Sequence, residues 1–121
     1  MKETNNTKEL LLYKKTEMLF LRIHPALRNY PKFERYSLCN QIRDNFLNLM
    51  KFIILANNVK SKRKSYQEQA DGYLQVCKIL MKLSYNRRYI GENFYKEIES
   101  SLVEIGKILS SWIKSSVNKK V

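Results

Sequence analysis

The stretch Tyr30–Asn58, YPKFERYSLCNQIRDNFLNLMKFIILANN, decides the fold. It opens at a proline and a charged first turn. Leu38, Ile42, Phe46, Leu49, Ile53 and Ala56 then recur at spacings of three and four, the period of a helix with one buried face. No glycine and no further proline interrupts the run after Pro31. The expectation is one helix over the whole stretch, about 40 Å long, with Glu34 in its first turn complementing the helix dipole. An apolar face of that length needs partners along all of it.

The rest of the chain supplies them. A first helix from about Lys8 to Asn29 carries Leu12, Thr16, Leu19, Phe20, Ile23 and Leu27 on one side. Pro25 lacks a backbone donor and crowds the preceding turn, so a kink or break is expected near His24. A third helix, about Tyr66 to Tyr89, turns Ala70, Tyr73, Leu74, Cys77, Leu80, Met81 and Ser84 inward. Gly72 either weakens it slightly or admits a neighbour. Val76, Ile79 and Leu83 form a second apolar strip on the same helix, which points to self-association. A fourth helix, about Asn93 to Ser115, buries Phe94, Ile98, Leu102, Ile105, Leu109 and either Trp112 or Ile113. Gly106 in its middle marks tight packing.

Short links between four amphipathic segments specify an all-α fold, an antiparallel up-and-down four-helix bundle. The chain reads as a single domain of 121 residues. Its ordered core runs from about residue 8 to residue 115, between frayed basic ends. No apolar run approaches the ~20 residues of a membrane span, and the first residues are no signal peptide. A cytoplasmic location is expected. Cys39 and Cys77 fall on core stripes and read as reduced, buried thiols.

The net charge is +12, and its distribution says more than its size. Residues 45–91 hold nine Lys/Arg against Glu68 and Asp71, a net of +7, whereas residues 92–114 hold four acids against three bases, a net of −1. A positive field centred on the middle of the chain suits a polyanion, most often RNA or DNA. The run Lys60-Ser61-Lys62-Arg63-Lys64 between the second and third helices is either a solvated loop or a flexible phosphate-contacting arm. Lys78 and Lys82 share one face of the third helix.

Chemistry is scarce by contrast. The three glycines are isolated and cradle no phosphate, and no HExxH, CxxC or GxSxG pattern occurs. The single histidine, His24, has no ligand-type residue at metal spacing and receives no role. The chain reads as a binding protein, not an enzyme, with no cofactor, metal or small-molecule substrate. Among the eight tyrosines, most read as packing groups. Tyr36, Tyr85 and Tyr89, each close to an arginine, are candidates for base stacking.

Three segments carry a family resemblance. Tyr30-Pro31-Lys32-Phe33-Glu34-Arg35-Tyr36 resembles the FPKSERF opening of the second helix in Avd proteins, the accessory variability determinants of diversity-generating retroelements, and Gln41-Ile42-Arg43 follows where that family has an R-I-E-like run. Leu83-Ser84-Tyr85-Asn86-Arg87-Arg88-Tyr89-Ile90 is similar to its LAYELKFL segment. The run from Gly106 to Lys114, GKILSSWIK, is similar to its closing GRMLGGWLK. In order, these matches span about Leu10 to Lys114.

The resemblance implies a non-catalytic bundle that assembles as a homopentameric ring around a basic channel. Such a protein would bind the element's reverse transcriptase and its template RNA or cDNA, supporting mutagenic cDNA synthesis (mutagenic retrohoming). By position, Arg35, Arg43, Arg88 and Lys107 match basic family positions. Arg35 falls on the inward stripe of the second helix, where it would pair with an acid inside the bundle; Arg43 is the stronger contact candidate. Phe33 departs from a family serine that would cap the helix, and Arg87 replaces an apolar residue. With the basic run and the third-helix pair, the candidate nucleic-acid-binding set is Arg35, Arg43, Lys60, Lys62, Arg63, Lys64, Lys78, Lys82, Arg87, Arg88 and Lys107. Two other readings stay open: the four-helix proteins encoded in ribosomal RNA intervening sequences, which share the YPK-E-R start, and a basic protein–protein adaptor.

Overall fold

The structure, a computed structural model, describes residues 7–119. Four α-helices build it: α1 Thr7–Ile23, α2 Leu38–Asn58, α3 Arg63–Asn86 and α4 Glu92–Lys119, joined by 3-10 turns and short links. No strand occurs among the described residues. The helices alternate in direction around one core. Each packs on its two neighbours in the ring α1–α2–α3–α4, with α2 and α3 sharing the most extensive contact. This is the four-helix bundle that the apolar periods require.

The core contains the residues that the periods select: Leu12, Ile42, Phe46, Leu49, Ile53, Leu74, Met81, Ile98, Ile105 and Leu109 are fully buried. Each such side chain contributes roughly 1.5–3 kcal/mol relative to exposure. At the end of α4, Trp112 turns inward and Ile113 is half-buried. Cys39 and Cys77 are free, buried thiols, and burial pushes both up in pKa. Buried Thr16 and Ser84 donate to the carbonyls of Leu12 and Leu80, one turn back. Gln67, absent from the apolar count, is also buried and reaches Ser116 Oγ at 3.1 Å.

Four expectations need correction. The second helix begins at Leu38, not at Tyr30, so it is about 32 Å long. Its apolar stripe starts there too: upstream, Phe33, Arg35 and Tyr36 are exposed, and only a 3-10 turn, Lys32–Glu34, forms. Ser37, at φ −121° and ψ −93°, separates turn from helix. The third helix starts earlier than expected, at Arg63, so the basic run is a 3-10 turn plus a first helical turn rather than a flexible arm. The residues from Ser116 to Lys119 continue α4 instead of forming a loose tail; of residues 1–7, expected to fray, Thr7 begins α1 and the others lie outside the described residues. Lastly, an added Cβ on Gly106 would meet Leu74 Cδ2 at an ordinary 3.5 Å, and one on Gly72 would meet nothing within 4 Å. Neither glycine is enforced by close packing. The break that Pro25 demands does occur: α1 ends at Ile23 and a 3-10 turn, His24–Asn29, follows.

Candidate nucleic-acid interface

Charge in the bundle is sorted by surface. Along the α1–α4 seam, cations meet acids: Lys15 pairs with Glu104 at 3.1 Å and Arg22 with Glu97 at 2.6 Å, while Lys96 pairs with Glu92 within α4. None of the eleven candidate cations belongs to an ion pair among the described residues. Those eleven fall on three separate surfaces, not on one.

The first surface is the end of the bundle where α1 and α3 finish and α2 and α4 begin. Here Arg35 is exposed on the outside of the junction instead of lying on an inward stripe, because the helix that would have turned it inward starts three residues later. Arg43, half-buried, is braced by neutral acceptors: Asn40 Oδ1 at 2.5 Å and the Arg35 carbonyl at 3.4 Å. With Arg28, Lys32 and His24, these two line a groove of about 340 Å³. Arg87 and Arg88 end α3 nearby in the fold. The Arg88 N–H donates to the Tyr85 carbonyl and the Tyr89 N–H to the Ser84 carbonyl, a Schellman closure that places Arg88 at φ +64°. Glycine is the inexpensive occupant of that conformation.

One carboxylate organises this end. Glu34 accepts from Ser37 Oγ at 2.7 Å, from the Tyr89 hydroxyl at 2.8 Å and from the Leu38 N–H at 3.4 Å. It thereby caps α2 from four residues upstream, where Ser37 makes no side-chain cap. Those donors, Ser37 first and Tyr89 next, hold its carboxyl below the usual range. The same bond raises the Tyr89 hydroxyl.

The second surface lies at the opposite end, about 32 Å away along α2. Lys60, Lys62 and Lys64 are exposed there, but Arg63 is turned inward. Its Nε donates to the Ala56 carbonyl at 2.8 Å and its Nη2 to the Asn57 carbonyl at 3.0 Å, with the guanidinium 5.8 Å from the Trp112 ring centroid. Two of its five N–H donors are therefore committed to closing α2.

The third surface is a groove between α3 and α4, lined by Asp71, Gln75, Lys78, Lys107 and Lys114 and about 550 Å³ in volume. Lys82 stands exposed one turn further along α3. The two bundle ends, about 32 Å apart along α2, are separated by several times the ~8 Å screening length at physiological salt and act as separate charges.

The aromatic candidates divide as well. Tyr85 stacks on Tyr95 at 4.6 Å and 3°, and Tyr89 is held by Glu34 and by the Tyr30 ring. Tyr36 alone of the three keeps a free ring, 81% exposed, and Phe33 beside it is 76% exposed. Sequence reading missed Arg28, Lys32 and Lys114. No period marks the first two, because extended Tyr30 and Pro31 separate the turn that holds Arg28 from the turn that holds Lys32. No metal-ligating cluster occurs among the described residues, and none of their helices is long and apolar enough to cross a membrane.

A family model described as bAvd-like matches residues 10–116. No curated protein matches the chain.

Proposed function

Since the chain belongs to the bAvd-like family, accessory and non-catalytic proteins of diversity-generating retroelements, we propose that it binds the element's RNA or cDNA and its reverse transcriptase as a ring-forming oligomer. The observation that carries this reading is the sorting of charge. Acids and cations neutralise each other along α1–α4, while the other cationic surfaces keep their charge for a ligand. Lys78, Lys107 and Lys114 face one groove against a single acid, Asp71. Phosphates that replace small counterions there gain affinity without sequence preference.

The apolar surfaces supply the assembly. Val76, Ile79 and Leu83 are exposed along α3, as are Leu47 and Ile54 on α2. Burying such strips against another copy or against the polymerase removes them from water. Homopentamer formation rests on the family resemblance rather than on the apolar strips themselves.

The test is binding of a single-stranded RNA and its DNA equivalent across a salt series, with mass measured by light scattering. The expected result is a ring-sized oligomer whose affinity falls steeply with salt. Lys78→Ala and Lys107→Ala should each flatten the slope by about 1. Salt-independent affinity, or a monomer indifferent to nucleic acid, would leave a protein–protein adaptor. A reverse transcriptase gene beside the coding sequence separates the retroelement reading from the ribosomal intervening-sequence one.

A further inference from the structure

The junction groove differs from the other cationic surfaces in being a pocket built around one point. From its geometry we infer that it is a subsite for a phosphomonoester, the phosphate end group of a nucleic-acid strand or of a mononucleotide. This rests on the nucleic-acid reading above but makes a separate claim, that the groove reads an end and not a backbone.

Arg28, Lys32, Arg35 and Arg43 converge on it together with His24, and no carboxylate lines it. The carboxylate of this junction, Glu34, is engaged by Ser37, Leu38 and Tyr89. Two of the guanidiniums are held in place by neutral groups: Arg43 by Asn40 and the Arg35 carbonyl, Arg28 by the Pro25 carbonyl at 3.3 Å. They are oriented without being neutralised, so ordering them adds little cost on binding.

Four full positive charges around about 340 Å³ exceed what one diester phosphate can use. A diester carries a single charge, and its two bridging oxygens must lead the chain out again. A monoester carries about 1.5–2 charges at neutral pH and offers three free oxygens, which two or more guanidiniums can fork. Two exposed rings close to Arg35 in the chain, outside the groove lining itself, are the stacking surfaces for a base attached to that phosphate. Phe33 and Tyr36 lie on either side of Arg35 in sequence and are the two most exposed large apolar side chains of the described residues. Such rings stack on nucleobases of any sequence, which a free inorganic phosphate would not use.

The experiment compares one short single-stranded oligonucleotide with a 5′-phosphate, a 3′-phosphate or hydroxyl ends, by fluorescence anisotropy on the full chain. A nucleoside monophosphate and inorganic phosphate serve as competitors. One phosphorylated end should bind about tenfold tighter than the hydroxyl-ended strand, the effect of one charge-assisted contact. Arg28→Ala with Arg35→Ala should abolish that difference, at a smaller cost to hydroxyl-ended binding than Lys78→Ala with Lys107→Ala exacts. Both residues are exposed, so folding should survive. Lys78→Ala with Lys107→Ala should do the reverse.

Competition by the nucleoside monophosphate that Arg28→Ala with Arg35→Ala removes supports the subsite, even if no oligonucleotide binds and the broader reading fails. Equal affinity for all three ends overturns the subsite while leaving backbone binding intact. Inorganic phosphate competing as well as the nucleotide overturns the claim that a base-bearing ligand is read.

Discussion

The two ends of α2 are closed in opposite ways. At Leu38 a carboxylate, Glu34, collects donors from Ser37, Leu38 and Tyr89. At Asn58 a guanidinium, that of Arg63, donates to the carbonyls of Ala56 and Asn57. Each charge has the sign that the nearby helix terminus favours, negative at the N-terminus and positive at the C-terminus. The closures differ in reach. Glu34 is tied to Tyr89, 55 residues away, whereas Arg63 bonds carbonyls six and seven residues back. At both ends, charges that hold the fold stand beside cations with no ion pair among the described residues: Arg35 and Arg43 next to Glu34, and Lys60, Lys62 and Lys64 next to Arg63.

The largest effect is expected at Arg63. Arg63→Ala leaves two carbonyls of the α2 terminus without their donor and removes the cation from Trp112, a loss of about 2 kcal/mol after allowance for partial exposure. Urea unfolding would measure it. Lys60→Ala, Lys62→Ala and Lys64→Ala should each stay within about 0.5 kcal/mol. Four equal effects would end the distinction between structural and free charges within this run.

At the other end, Glu34→Gln should act through pH. The carboxyl is held low in the folded state. Its contribution is therefore complete above the unfolded-state value near ~4.3 and is lost as the pH falls through the lower folded value. The wild type should lose more stability than Glu34→Gln between neutral and strongly acidic pH. Parallel pH profiles would show that the three bonds to Glu34 do not distinguish its ionised form.

The smallest effect sharpens the same contrast. Only the Glu34 end contains a non-glycine residue at positive φ, Arg88, among the described residues. Arg88→Gly should leave stability unchanged or raise it by about 0.5 kcal/mol, while weakening nucleic-acid binding. A marked loss of stability would place the Arg88 side chain among the structural charges.

The period of three and four named nearly every core residue, and Pro25 located the end of α1. Motifs in three segments, 30–43, 83–90 and 106–114, carried the resemblance, and the bAvd-like model matches residues 10–116. The site was only half legible. Arg43, Lys78 and Lys107 were identified as candidates, yet the division of the whole set among three surfaces could not be read from a linear count of charge. Arg63 looked the same in sequence as its lysine neighbours, because nothing local distinguishes a guanidinium that bonds carbonyls from one in water.

The sequence by itself determined that four amphipathic helices pair their apolar faces, since burial of a face is encoded residue by residue at helical spacing. Tertiary structure alone decided where α2 starts and which charges remain available. Those outcomes depend on relations between elements: Glu34 needs the Tyr89 hydroxyl, 55 residues away, and the junction groove exists only where the end of α1 meets the start of α2. A hydrogen bond or a pocket is a relation between elements, and it has no period to leave in the sequence.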